Sequence, residues 1–169
     1  RIVAAGMPRD GLLSLDEPAT LTVAEVEVRN HEGRGKFLLA HDRVLGVEIA
    51  GEARAYPLRL LRWHEVVNDI VGGREVLVSY NPLSDSAVVS DRSLGGEALA
   101  FGVSGLAFNS NMLLYDRRPS PERCSLWSQL EARAIAGPAS ADAARLEQLP
   151  AANATWEQWQ ERHPRTLVL

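Results

Sequence analysis

From Val44 onward, turn residues cut the chain into short apolar segments, and that spacing restricts it to hairpins of antiparallel strands. Leu45, Val47 and Ile49 alternate with Val44, Gly46 and Glu48, the period-two pattern of a half-buried strand. Gly51-Glu52 separates this run from Ala53-Arg54-Ala55-Tyr56, which predicts a tight hairpin. Residues 75–80 and 86–91 read as two further strands joined by Asn81-Pro82-Leu83-Ser84-Asp85, a cluster of turn-favouring residues. Gly95-Gly96 predicts another hairpin between 88–94 and 97–103. Residues 112–115 and 125–130 read as later strands, with 117–122 as the exposed loop between them.

Helical signals are fewer. From Pro57 to Val66 the apolar spacing changes to that of a short helix with Pro57 in its first turn, and Gly72-Gly73 ends the region or turns it into the next strand. Thr22 followed by Glu25 has the spacing of a capping box and predicts a short helix over 23–27. Thr155 with Gln158 repeats the signal near the C-terminus, ahead of a helix carrying Trp156 and Trp159 that Pro164 stops. The tryptophans at i and i+3 read as a hydrophobic docking stripe. Residues 1–20, with Pro8, Gly11 and Pro18, read as an extended arm, and 29–43 as a connector. The expected fold is α+β: mostly antiparallel β hairpins, barrel-like closure included, with short helices, one near the C-terminus. The arm and connector (1–43) pack on a single β-rich domain (44–169).

The chain has the length of one domain, and 46% apolar with 24% charged residues is a globular balance that excludes global disorder. A net charge of −4 with no Lys/Arg block offers a nucleic-acid backbone little to bind. No apolar run is long enough to span a membrane as a helix. The opening Arg1-Ile2-Val3-Ala4 is what a processed or truncated product would show, with any signal peptide removed. The single cysteine, Cys124, excludes an intrachain disulfide and a Cys-rich metal cage, and reads as a small, partly buried residue.

Candidate site residues gather in two stretches. Trp63-His64-Glu65-Val66-Val67-Asn68-Asp69 supplies Trp63, His64, Glu65, Asn68 and Asp69. On a helix, His64 and Glu65 diverge, whereas His64 and Asn68 share a face. His64 has three readings: general base, metal ligand, or imidazole hydrogen-bonded to backbone. The turn supplies Tyr80, Asn81, Ser84 and Asp85. Trp127 and Gln129 alternate on a strand, where they line a shallow pocket or cover the core. The four histidines (His31, His41, His64, His163) show no metal-binding spacing. A metal ion would use His64 with Asp85, Asp69 or Asn81, the His64 and Asp85 pair first. Ser84 and Ser104 lie outside any nucleophile-elbow motif, and no phosphate-cradling glycine motif is present. The Asp91-Arg92 and Asp116-Arg117 dipeptides read as turn chemistry with ion pairs to neighbours.

These motifs occur in an order that resembles a known family. Gly46-Val47-Glu48-Ile49, Gly51-Glu52-Ala53-Arg54-Ala55-Tyr56-Pro57-Leu58, Trp63 to Asp69, Tyr80 with Pro82-Leu83, Ala87-Val88-Val89, Asp91-Arg92, Phe101-Gly102-Val103-Ser104-Gly105, Leu114-Tyr115-Asp116-Arg117 and Ser125-Leu126-Trp127-Ser128-Gln129 follow one another. Over about 44–169 the chain closely resembles the bacterial and archaeal domain-of-unknown-function family 3179. The resemblance implies an exported protein, periplasmic or secreted, either free or anchored through a removed N-terminal segment. It also marks a departure: the family's usual Tyr-Cys-Pro-Leu-Cys stands here as Tyr80-Asn81-Pro82-Leu83-Ser84. A Cys-x-x-Cys turn would support dithiol chemistry or soft-metal ligation, and Asn81 with Ser84 supports neither. Either this chain has lost an ancestral activity and kept a binding or scaffold role, or the family's function never needed the thiols.

Three functions follow as expectations. The first is a non-catalytic, extracytoplasmic binding or interaction domain for a small ligand or protein partner. The second is a copper- or zinc-handling protein using His64 near the 81–84 loop, a metal ion being the one cofactor in view. The third is a hydrolase using Ser84 or Ser104.

Overall fold

A strand buried on one face alternates apolar and polar residues, while a strand buried on both reads as an almost unbroken apolar run. Both patterns occur here, and they sort the strands into layers. The computed structural model describes residues 1–32 and 35–169. The N-terminal third forms β1 (Ile2–Ala4), β2 (Leu15–Asp16), β3 (Leu21–Thr22), α1 (Val23–Glu32), β4 (Arg43–Ile49), β5 (Glu52–Pro57) and α2 (Leu58–His64). Then come β6 (Val66–Val71), β7 (Arg74–Asn81), β8 (Ser86–Asp91), the short hairpin β9 (Ser93–Leu94) and β10 (Glu97–Ala98), β11 (Phe101–Phe108) and β12 (Asn111–Asp116). The chain closes with β13 (Leu126–Ser128), β14 (Arg133–Ala136), α3 (Pro138–Ala141), β15 (Ala152–Thr155), α4 (Trp156–Arg162) and β16 (Leu167–Val168). The fold is therefore α+β and mostly antiparallel.

Among the described residues the strands form open sheets and not a closed barrel. An outer sheet has the order β1-β11-β12-β13-β14, a middle sheet β2-β6-β7-β8, and a second outer sheet β15-β4-β5-β16-β3. One apolar core joins Leu45, Val47 and Tyr56 of the second outer sheet to Val67, Val76, Val78 and Val89 of the middle sheet. Another joins Val66 and Leu77, on the opposite face of the middle sheet, to Phe101, Val103, Leu114 and Trp127 of the first outer sheet. A third packs Val26 of α1 and Trp156 and Trp159 of α4 on the far side of the second outer sheet. Among the described residues no helix is long and apolar enough to cross a membrane.

Most local expectations hold. β4 and β5 pair across Gly51, β6 and β7 pair across Gly72-Gly73, and β7 and β8 pair from Asn81↔Ser86. Both glycines of the Gly72-Gly73 turn have positive φ, as a two-residue hairpin requires. Both capping boxes form: Glu25 with Thr22, and Gln158 with Thr155. The Asp-Arg dipeptides make ion pairs, Asp91 with Arg74, Arg92 with Glu75, Asp116 with Arg118, and Arg117 with Asp16. Two details differ. The first helix runs to Glu32, beyond the expected 23–27. The helix after Pro57 ends at His64, and 66–71 is a strand, so His64 and Asn68 do not share a helical face. Val66-Val67-Asn68-Asp69 reads as helical because both faces of β6 are buried, which erases the alternation. The N-terminal arm takes part in the sheets, with β1 on β11 and β2 parallel to β6.

Two contacts hold the layers in register. A row of small residues, Ala152, Gly46 and Ala55, crosses β15, β4 and β5 under the indole of Trp159. A Cβ on Gly46 would stand 2.3 Å from that ring. Between the middle and second outer sheets, Asp69 accepts hydrogen bonds from Arg54 and from the Tyr56 hydroxyl, both at 2.8 Å, with all three side chains buried.

Gly46→Ala is therefore expected to cost about 2 kcal/mol in denaturant unfolding, in the range of core overpacking. In a double-mutant cycle with Trp159→Leu, most of that loss should disappear, whereas additive losses would place the clash elsewhere. Asp69→Ala strands a buried guanidinium and should cost about 3–5 kcal/mol. Glu52→Ala, at the solvent end of the same Arg54, should cost about 1 kcal/mol or less. Equal losses in urea titrations of the two variants would show that burial does not set the strength of this network.

Candidate functional site

The site region begins where α2 stops. Glu65 caps the helix in the left-handed conformation at φ 58°, its N–H bonded to the Leu61 carbonyl. Glycine is the usual residue at such a position, and a side chain there costs about 1–2 kcal/mol. A carboxylate at a helix C-terminus also opposes the helix dipole. The turn sends Glu65 out of the helix direction and between the layers, where it is only 8% exposed. No described residue hydrogen-bonds its carboxyl or pairs with its charge. Burial alone pushes its proton affinity above the ordinary carboxylate range.

Asn81 reaches the same space from the end of β7. Successive residues on a strand face opposite sides, so Asn81 shares the face of Leu77 and Ser79, which is turned toward the first outer sheet. Its Oδ1 accepts the Leu83 N–H at 3.1 Å, which closes the turn. Opposite stands β11, whose pairing with β12 slips between Val103 and Leu106. Ser104 fills this bulge by donating to the Leu113 carbonyl and accepting from the Leu106 N–H. Gly105, at φ +73°, lets the N-terminal arm pass, because a Cβ there would meet the Met7 carbonyl at 2.4 Å. Bulges of this kind recur beside functional sites.

These elements enclose a cavity of about 80 Å³. Glu65, Asn81, Ser110 and Asn111 supply its polar groups, and Met7, Val103, Leu106, Met112 and Leu113 its apolar walls. Leu83, 94% exposed, stands at its rim. Asn111 is buried; its Nδ2 donates to Ser84 Oγ at 3.3 Å and Ser86 Oγ at 3.4 Å, and its Oδ1 has no partner. Ser86 in turn donates to Gln129 Oε1, and Gln129 Nε2 donates back to the Ser86 carbonyl, both at 3.1 Å. Ser84 and Ser86 lie 2.8 Å apart, so a single chain of hydrogen bonds runs from Gln129 to Asn111 behind the cavity.

The structure thus brings together Glu65, Asn81, Ser84 and Gln129 of the residues singled out in the sequence. It adds Asn111 and Ser86, whose only sequence signal was their place beside turns. The others point elsewhere. His64 donates from Nδ1 to the Leu13 carbonyl at 2.7 Å and lies outside the cavity lining. Trp63 is 72% exposed on the outside of α2. Asn68 and Asp69 are consumed by inter-sheet hydrogen bonds. Tyr80 donates to Asp85, which Arg43 also holds, and the Arg43 guanidinium leads in keeping the Asp85 carboxyl below its ordinary range. Trp127 is fully buried, edge-on to Phe101 with ring centres 5.6 Å apart.

The chemistry available is correspondingly narrow. His64 and Asp85 have separate partners, and among the described residues no three His, Cys, Asp or Glu side chains converge as metal ligands. Ser104 is tied to backbone, and Ser84 contacts only Ser86 and Asn111, so neither serine touches a base. A carboxyl without a protein partner, an unpaired amide oxygen and apolar side chains line one small cavity.

No curated protein and no solved structure matches this chain. One family model, described as Protein of unknown function (DUF3179), matches residues 9–169, and the chain belongs to that family.

Proposed function

We propose that the chain is a non-catalytic binding domain whose ligand is a small molecule held between Glu65, Asn81 and Asn111. The observation that carries this reading is Glu65. It combines a left-handed backbone, a position against the helix dipole, and a largely buried side chain whose carboxyl has no protein partner among the described residues. Each of these features disfavours the folded state, and residues that break several local rules at once concentrate where function requires them. Asn111 Oδ1, buried and unpaired, adds an unsatisfied acceptor to the same cavity. Binding without turnover fits the lining, in which no nucleophile is hydrogen-bonded to a base. Within this reading the domain works outside the cytoplasm, in the periplasm or as a secreted protein, which rests on the resemblance to exported relatives. The small molecule, and not nucleic acid, is its partner.

A fragment screen read by two-dimensional amide NMR tests this. Hits should cluster on the resonances of Glu65, residues 81–84 and residues 105–113. They should vanish in Ala107→Leu, which fills the cavity from β11 while leaving the rest of the spectrum in place. Hits confined to other surfaces, or unaffected by Ala107→Leu, would refute the assignment of the site.

A further inference from the structure

We propose that the ligand class is a short primary alkylammonium ion, an inference that rests on the binding role proposed above. Three observations point to it. The one ionisable group lining the cavity is an acid, Glu65, and no cation among the described residues faces it. The buried side-chain atom in this lining that has no partner, Asn111 Oδ1, is also an acceptor. An ammonium head answers both, with a positive charge for the Glu65 carboxylate and three N–H donors to share between it and Asn111 Oδ1.

The walls and the size narrow the class further. Val103, Ala107 and Met112, on the face of β11 and β12 turned toward the middle sheet, present apolar surface to whatever follows the head group. A bare metal ion would leave that surface without a partner, while a short alkyl chain covers it. At about 30 Å³ for each water-sized group, about 80 Å³ holds only a few non-hydrogen atoms. Bulky quaternary ammonium ions and most amino acids exceed that space. Leu83 at the rim is placed to close over the end of the chain.

The test is an amide NMR titration with ethylammonium and n-propylammonium chloride, run beside n-propanol, propionate and potassium chloride at matched ionic strength. Saturable shifts at Glu65, Asn81 and Asn111 are expected for the two alkylammonium ions alone. Their affinity should fall at least tenfold in Glu65→Gln and be abolished in Ala107→Leu, two substitutions at independent positions. Equal or stronger shifts with propanol or propionate would overturn the ligand class while leaving a small-molecule site in place. Competition by potassium as effective as that by ethylammonium would replace the organic cation by a metal ion. Absence of saturable shifts with any alkylammonium ion overturns the inference outright, and the fragment screen then decides separately whether the cavity binds at all.

Discussion

Two adjacent polar residues in the middle of β6 hold the three layers together. Residues next to each other on a strand face opposite ways, so Asn68 and Asp69 look into different cores. Asp69 meets Arg54 and Tyr56 of the second outer sheet. Asn68 donates to the Phe101 carbonyl at 2.9 Å and accepts the Phe101 N–H at 2.8 Å, acting as a backbone partner for the first outer sheet, and it also donates to Asp16. A one-residue slip of β6 would turn both into the wrong layer and leave every one of these groups unpaired. Few other residues in the chain would penalise a misregistered sheet so heavily.

The site inherits its position from that register. With β6 fixed, Glu65 must sit immediately before it, between the end of α2 and the start of that strand. The Tyr80 N–H bonds to the Glu65 carbonyl, which ties the left-handed turn to the end of β7 and so to Asn81. The bulge at Ser104 and Gly105 then provides the opposite wall, and the passing N-terminal arm covers it. The cavity is a gap between two tightly specified layers, which is why its polar groups converge from distant parts of the chain.

Much of the fold was legible in the sequence, because hairpins, turn chemistry and capping boxes are local. The alternation in β4, Gly72-Gly73, and the pairs Thr22/Glu25 and Thr155/Gln158 act within a few residues of themselves. Short strands without a local turn signal, such as β15 and β16, were not legible. β15 exists because it pairs with β4, and β16 because it lies between β5 and β3, partners far away in sequence. The expected helix over 57–66 overran its end at His64, and Asn68 was placed on its face, since burial of β6 on both sides removes the alternation of a strand. For the site, the 81–84 turn and Glu65 were legible as polar residues in a suspicious place. Asn111 carried no signal of its own, because its role depends on how the layers stack. His64 drew attention as the more versatile side chain, yet the left-handed turn at its neighbour directs Glu65 inward and leaves His64 against the Leu13 carbonyl.

Glu65 is held where its charge works against the fold. Burial raises its proton affinity in the folded state, so its contribution is fully favourable below the ordinary carboxylate range. That contribution is lost as pH rises through the raised value and the charge must be carried inside. The direct measurement is the unfolding free energy of wild type and Glu65→Gln across this range without ligand. The variant should match the wild type in acid and become the more stable of the two toward neutral pH. A variant less stable than wild type at neutral pH would mean that the carboxylate serves the fold, and would contradict the central claim.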